Sequence, residues 1–407
     1  MKILVLAGGY DQIALINELK QYGHTVLLAD YFEHPPAEKF ADAFFQISTL
    51  DEEAIEYLAK EEAVDMITTA CTDQALLTVA RVSEKLGLPC YIDAAKALCV
   101  TNKFYMKEIF KKHGIPTADY VLLEKGHNGC EAVPQDMAFP LVVKPCDCNS
   151  SKGVLKVTDR PQLEKAIELA FSLSRSGKVV VEQYLIGEEV SIDAWIDSKG
   201  AKLLSVTQTM KLHNNPDAFT IFKSCYPVAD YEKIEGQIQI IADKIAEAFG
   251  LAQCPLLIQA IVNDGRVYVV EFSARMGGGT KYKLIEWISG INIMQVYVRR
   301  VLGDTTQIVT PVLSKKKIEL NYLYAHPGKI TSIIGLEQLK KENKLQDYFI
   351  YKPLGVEIKT HITSSDRVMG FLITADTQQE LESVREQCMI GLDVLDGEKS
   401  ILFRENF

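Results

Sequence analysis

Long apolar runs are missing from this chain of 407 residues. The first candidate, Ile3 to Ala7, is far too short for a signal-peptide core or a membrane span, and no later segment reaches the roughly 20 residues a span requires. We therefore expect a cytoplasmic protein with no membrane partner. Positive charge is also short: 44 Lys and Arg against 54 Asp and Glu leave a formal charge of −10. That balance argues against a general nucleic-acid binder, which needs a basic surface to neutralise backbone phosphates, while still allowing a local basic pocket. The nine cysteines contain no CxxC pair, and their odd number suits reduced thiols in a cytosol. Cys146-Asp147-Cys148 has no second Cys or His pair at zinc-site spacing, so inert thiols are the better reading. No internal repeat or low-complexity tract is visible. A hydrophobic fraction of 47% at this length fits two or three domains, each with its own core.

From Lys2 to about Leu88 short apolar runs alternate with amphipathic stretches. Strands are expected at Ile3–Ala7, Val26–Ala29 and Val64–Thr68, with helices near Gln12–Tyr22, Glu52–Lys60 and Asp73–Leu86. Such a βαβαβα order implies a parallel, doubly wound sheet, and Thr49-x-x-Glu52 reads as a capping box for the second helix. Gly8-Gly9 after the first strand, with Asp30 closing the second, invites a dinucleotide reading. The third glycine of that fingerprint is absent, which disfavours nicotinamide binding. The turn can still face another ligand, as a helix N-terminus favours anions.

Residues 87–100 read as a connector to a helix from about Thr101 to Lys112, stopped by Gly114 and Pro116. Strands follow at Tyr120–Leu123 and Pro140–Pro145, the latter ending in Lys144. The small polar loop Asn149–Gly153 could wrap a phosphate with its backbone N–H groups. A helix is expected from Pro161 to Ser174, then strands at Val179–Ile192, Ala201–Thr209 and Ala218–Tyr226, and a helix over Tyr231–Phe249. Asn263-Asp264-Gly265-Arg266 is a strong hairpin signal that places Gln259 near Glu271 across the strand pair. Helices near Lys281–Ser289 and Ile293–Leu302 precede a final α+β region. There Lys315–Lys317 read as a solvated strand entry, strands are expected at 318–324, 329–333, 355–360 and 368–374, and Thr377-x-x-Glu380 caps a helix.

The densest chemistry lies in Val269–Gly279. Strand alternation brings Glu271, Ser273 and Arg275 out on one face and turns Phe272 and Ala274 to the other. Glu271 and Ser273 offer hard oxygens of the kind Mg²⁺ prefers, and Arg275 offers a planar fork for a carboxylate or phosphate. A solvated strand face followed by a glycine turn would look similar. The lysines at element ends, the small-residue loop and the carboxylates around Tyr184 tip the balance toward a nucleotide site.

In that order and spacing, Met1 to about Gly303 resembles the ATP-grasp superfamily. The resemblance implies a Rossmann-like N-terminal (pre-ATP-grasp) domain over 1–100, an α/β unit. It implies a two-subdomain ATP-grasp fold over 101–310, with a lid at about 115–185, and a small C-terminal α+β region over 311–407. By motif correspondence Lys103 and Lys144 would hold the nucleotide phosphates, Ser150, Ser151, Lys152 and Gly153 the phosphate lid, and Glu182-Gln183-Tyr184-Leu185 the adenine hinge. In the hinge, main-chain groups of Tyr184 and Leu185 would meet the adenine edge and Glu182 its amino group, with Glu189 on the ribose. Gln259, twelve residues before Glu271, would share the metal with Glu271 and Ser273. Glutamine there resembles carbamoyl-phosphate synthetases rather than biotin carboxylases, and Ser273 replaces the family's usual Asn. The sequel Arg275–Gly279 and Gly290–Asn292 resemble the L-amino-acid ligase and related carboxylate-amine ligase branch, in which the arginine orients the substrate carboxylate or its acyl phosphate.

The implied activity is ATP-dependent joining of a carboxylate to an amine through an acyl phosphate, with release of ADP and phosphate. Arg275 and Lys144 would be catalytic, and Mg²⁺, or Mn²⁺ in its place, the metal. The partners implied are small carboxylates and amines, amino acids among them, and a homodimer is compatible. A purine-pathway or carbamoyl-phosphate-type enzyme and a non-catalytic ATP-binding module stay open as alternatives. Lys211, His213, Lys223, Asp30 and the Gly8-Gly9 turn are weaker candidates, for which solvated or structural roles are the simpler expectation.

Overall fold

The computed structural model of the chain describes residues 1–149, 152–212, 220–359 and 363–404. Its first unit runs β1 (Lys2–Leu6), α1 (Tyr10–Gln21), β2 (Thr25–Asp30), β3 (Ala43–Gln46), α2 (Glu52–Glu61), β4 (Met66–Thr68) and α3 (Asp73–Leu86). The four strands are parallel, in the order β3-β2-β1-β4. Helices cover both faces, which is why β1 is continuously apolar. Ile3 and Val5 pack with Leu15, Ile16 and Leu19 of α1, while Leu4 and Leu6 pack with Ile55, Leu58 and Val79 of α2 and α3. Each such fully buried side chain contributes about 1.5–3 kcal/mol.

Two local expectations fail here. The cap of α2 is Asp51, whose carboxylate accepts the Ala54 N–H at 3.0 Å, and not Thr49. An acidic side chain next to the first turn satisfies a free N–H and also meets the positive end of the helix dipole. The expected connector at 87–100 contains a further helix, α4 (Ala94–Thr101), capped by Asp93. It is too short to show a strong apolar period. The chain then breaks at Asn102, whose side chain accepts the Phe104 N–H at 3.0 Å and so starts α5 (Lys103–His113).

The next unit has β5 (Tyr120–Glu124), β6 (Leu141–Pro145), β7 (Leu155–Val157), α6 (Arg160–Leu173) and β8 (Lys178–Gln183), forming an antiparallel sheet ordered β5-β8-β6-β7. Beyond it lie β9 (Glu188–Asp197), β10 (Gly200–Lys211), β11 (Ile221–Tyr226), α7 (Tyr231–Ala248), β12 (Cys254–Asn263), β13 (Arg266–Ser273), α8 (Lys281–Ser289) and α9 (Ile293–Val301). The last stretch contributes β14 (Lys317–Leu323), β15 (Gly328–Lys329), β16 (Ser332–Ile334), α10 (Leu336–Lys341), β17 (Asp347–Ile350) and β18 (Glu357–Ile358). It ends with β19 (Met369–Ala375), α11 (Gln378–Gly391), β20 (Asp393–Asp396) and β21 (Lys399–Ser400). Both halves of the capping box at Thr377 and Glu380 are formed.

The second antiparallel sheet has eight strands in the order β13-β12-β9-β10-β11-β14-β19-β17, so strands from beyond residue 311 extend the sheet begun before it. One face carries Ile192, Ala194, Ile196, Ile258 and Ala260 against Ile234, Ile238, Ile241 and Ile245 of α7. The opposite face of β9 and β10 carries Ser191, Asp193, Ser205 and Thr207, paired in register across the two strands. That polar face looks into the cavity described next.

Candidate active site

A cavity of about 880 Å³ runs between the two antiparallel sheets and on toward α3, α8 and β14. Its walls include Lys103 of α5, Lys144 of β6, Glu182 to Leu185, Glu189, Gln259 and Glu271, and at the far end Asp73, Ser273, Arg275, Lys281 and Arg367.

At the end nearest Tyr184 the lysines are organised by one carboxylate. Glu182 stands diagonally across the β6–β8 pair from Lys144, and the two bond at 3.0 Å. Its other oxygen is 3.0 Å from Lys107, a fully buried lysine that also donates to Thr117 at 2.6 Å. Burial pushes the Glu182 carboxyl up, but the two ammonium groups outweigh it and bring it down to about 2. Burial also lowers Lys107. Lys107 escaped the sequence reading, although it sits one turn after Lys103 on α5, the spacing that puts two side chains on one helix face.

Lys103 lies 2.9 Å from Glu271 and donates to the Cys148 carbonyl at 3.1 Å. Burial alone would raise the Glu271 carboxyl, yet Lys103 and Lys144 leave it below the usual carboxylate range, so it is held as the anion. Gln259 is the direct cross-strand partner of Glu271. The hairpin that joins the two strands turns at Asp264 and Gly265, both at positive φ as a two-residue loop requires.

The register shifts immediately beyond: Ala260 pairs with Val269, so Val270 is an extra residue on β13. This bulge decides the site. Val267 and Val269 before it, and Phe272 and Ala274 after it, all belong to the core packed on α7. Without the extra residue, Glu271 would fall on the face of Val267 and Val269. With it, Glu271 and Ser273 turn into the cavity. A carboxylate, an amide and a hydroxyl are hard-oxygen donors suited to Mg²⁺. Among the described residues no group of three His, Cys, Asp or Glu side chains could hold a metal ion. This donor set, with its single carboxylate, fits a cation whose remaining ligands are phosphate oxygens and water.

Arg275 is engaged from outside its own strand. Its Nε donates to Asp73 Oδ1 at 2.9 Å, Nη2 to Asp73 Oδ2, and Nη1 to the Met276 carbonyl at 2.7 Å. Three of its five N–H groups are thus committed and two remain for a ligand. Asp73 was missed as a site residue. The signal was its place at the start of a helix that follows a parallel strand, the edge where such sheets bind ligands. The glycine loop after Arg275 is held by Asp11, whose carboxylate accepts the Gly279 and Thr280 N–H groups at 2.9 and 2.8 Å. Lys281 reaches Thr207 at 3.3 Å and Asp193 at 3.9 Å. Burial lowers the lysine and raises the aspartate despite their attraction.

Several expectations change on placement. The Tyr184 N–H already donates to the Pro140 carbonyl at 3.0 Å, so of its two main-chain groups only the carbonyl can serve an adenine. Glu182 spends its charge on two lysines, and Glu189 of β9 pairs with Lys211 of the adjacent strand β10. Ser150, Ser151 and His213 lie outside the described residues. Lys152 and Gly153 come between Asn149 and Val154 in the chain but are not among the residues that line the cavity, and Gly153 packs on Leu173 and Pro145. Gln183 and Leu185 line it, as does Gly187, where a β-carbon would collide with the Val262 carbonyl. Lys223 faces Glu319, away from the cavity. Asp30 accepts the Gly8 N–H at 2.6 Å, and Gly8 packs on Pro35, so this turn is a structural closure.

Comparison with known proteins agrees with this geometry. The ATP-grasp domain family matches residues 137–283. A D-alanine–D-alanine ligase from a Polaromonas species is 32% identical over 53% of this chain and 67% of its own length. A phosphoribosylamine–glycine ligase from Methanosarcina barkeri is 24% identical over 96% of this chain and 94% of its own. The crystal structure of an L-amino acid ligase from Bacillus licheniformis superposes with a TM-score of 0.78 at 20% identity, covering 97% of this chain and 98% of that one. With the paired lysines, the Gln259–Glu271 strand pair and the Arg275 loop gathered in one cavity, the chain belongs to the ATP-grasp superfamily of ligases.

Proposed function

We propose that this protein is an ATP-dependent carboxylate-amine ligase. The observation that carries the reading is the continuity of one cavity from the lysines at the hinge, past Glu271, to the Arg275 fork. A nucleotide entering at the hinge would direct its phosphates toward an arginine able to hold a carboxylate. The substrate carboxylate oxygen attacks the γ-phosphorus, an O–P bond forms, and the bond to the bridging oxygen of ADP breaks. The amine nitrogen then attacks the acyl carbon, phosphate leaves, and the amine gives up a proton. No side chain need act as nucleophile. Alignment and charge stabilisation supply the rate.

Lys103 and Lys144 would stabilise the negative charge on the phosphoryl oxygens, each released from its carboxylate partner toward the ligand. Arg275, held by Asp73, would orient the carboxylate with its two remaining N–H groups. Gln259, Glu271 and Ser273 would hold Mg²⁺, which when bound neutralises phosphate charge. The reading also includes the division at about residues 100 and 310, amino acids among the substrates, and a cytoplasmic setting. Among the described residues no helix is long and apolar enough to cross a membrane. The near full-length match to a phosphoribosylamine–glycine ligase supports a phosphorylated amine as a second choice of acceptor.

The test is incubation with ATP, Mg²⁺, hydroxylamine and a broad pool of carboxylic acids. Hydroxamate and ADP in equal amounts are expected. Nucleotide binding with no hydroxamate from any acid would favour the non-catalytic ATP-binding module.

A further inference from the structure

The cations lining the cavity are almost all balanced. Lys103 faces Glu271, Lys144 faces Glu182, Lys211 faces Glu189, Arg275 faces Asp73, and Lys281 has Asp193 at 3.9 Å. Lys156 lies over the Tyr184 ring, 3.9 Å from its centroid. Arg367 differs. It enters the substrate end from the segment just before β19, with its guanidinium 4.0 Å from the centroid of the Tyr322 ring. The Tyr324 hydroxyl accepts one of its hydrogen bonds. Among the described residues no carboxylate forms an ion pair with it, and its Nε–H is buried without an acceptor. The carboxylate that holds the glycine loop, Asp11 in the first turn of α1, has already given its oxygens to the Gly279 and Thr280 N–H groups.

The guanidinium is also positioned. Its Nη1 rests where a β-carbon of Gly279 would collide with it, and the Tyr322 hydroxyl donates to the Gly279 carbonyl at 2.9 Å. Arg367 is thus fixed against the same glycine loop that carries Arg275, with its charge uncompensated and a buried donor unused. Lys281, which directly follows that loop at the start of α8, adds a second cation held only loosely by its acid. A rigid, stacked guanidinium with free donors suits an anion better than a lysine would.

We propose that Arg367 is the receptor for an anionic substrate group other than the carboxylate being activated. Its ligand is a second carboxylate or a phosphate ester, and this assignment rests on the ligase reading for which end of the cavity takes the substrate. An arginine serving only to brace Tyr322 would not distinguish a charged ligand from its neutral amide.

The experiment titrates the full chain with succinate, inorganic phosphate and uncharged succinamide by calorimetry. Each titration is made with and without Mg²⁺ and a non-hydrolysable ATP analogue, so that in one arm the nucleotide end is filled. At least one anion is expected to bind, with succinamide silent. Arg367→Met should weaken that anion by about tenfold or more, and Arg367→Lys by less. Stronger binding of succinate identifies a carboxylate, and stronger binding of phosphate identifies a phosphate ester. If neither anion binds, or if both variants bind as the parent does, the assignment is overturned. Thermal unfolding checks that each variant folds, and should Arg367→Met fail to fold, Arg367→Lys decides alone. Failure of the ATP analogue to bind would refute the ligase reading and leave the nucleotide-free titrations to judge Arg367.

Discussion

At the nucleotide end of the cavity Lys103, Lys144, Glu182, Gln259 and Glu271 come from α5, β6, β8 and the β12–β13 hairpin, and each sits in a motif that can be seen in a short stretch of sequence. At the substrate end Asp73, Arg275, Lys281 and Arg367 come from the first sheet unit, the glycine loop, a helix start and the segment before β19. The first set is balanced internally, lysine against carboxylate. The second takes Asp73 from the first sheet unit to balance Arg275, holds Lys281 at 3.9 Å from Asp193, and leaves Arg367 over. The contrast suggests that the chemistry common to phosphoryl transfer is carried by local motifs, while selectivity is carried by contacts between units.

The sharpest way to break this comparison is Glu271→Ala. It should lower ADP formation by about 10³-fold or more whatever acid is supplied, and chelation of Mg²⁺ should do the same. A loss of less than about tenfold in steady-state ADP release would remove Glu271 from the nucleotide end.

Next in size is Glu182→Gln. It leaves Lys107 and Lys144 without a counter-charge and should cost about 3–5 kcal/mol at neutral pH, read from denaturant midpoints. The pH dependence has a definite sign. A carboxyl lowered from 4.5 to about 2 stabilises the fold above the unfolded value, and that contribution disappears as pH falls through the folded one. The parent should therefore lose stability between about pH 4.5 and about pH 2, and Glu182→Gln should lack that share of the slope.

Arg275→Lys and Asp73→Asn probe the other end. Each should reduce kcat/KM for the carboxylate by about 10²-fold, roughly 3 kcal/mol, with the KM for ATP nearly unchanged. An equal rise in the ATP constant would mean that the two ends are not separable. The smallest effect is expected far from both. Thr377→Ala should cost about 1 kcal/mol of stability with activity intact, and Asp51→Ala a similar amount, whereas Thr49→Ala should do little. Chemical denaturation of the three variants checks this set.

Legibility followed the range of the interactions. The parallel first sheet was readable because a strand buried on both faces must be continuously apolar. The hairpin that brings Gln259 near Glu271 was readable because Asp-Gly dictates a two-residue turn, although that turn alone would set Gln259 opposite Val270 and the bulge makes Glu271 its partner. α4 and the short elements β3, α10, β17 and β20 were not read, as too few residues carry a period. The helix cap at Thr49 was misread because a capping-box pattern also fits a sequence whose helix starts two residues later.

What the sequence determined alone was the inventory: which residues could hold phosphate, metal and carboxylate, and the order of the elements carrying them. Tertiary structure decided how they are used. The bulge at Val270 depends on how β13 pairs with β12, and it selects the face on which Glu271 emerges. The bond between Arg275 and Asp73 joins residues 202 positions apart, and Glu182 acquires its two lysines only when α5 packs beside β6 and β8. Charge pairing in a cavity depends on distances in space, and a linear sequence records only distances along the chain.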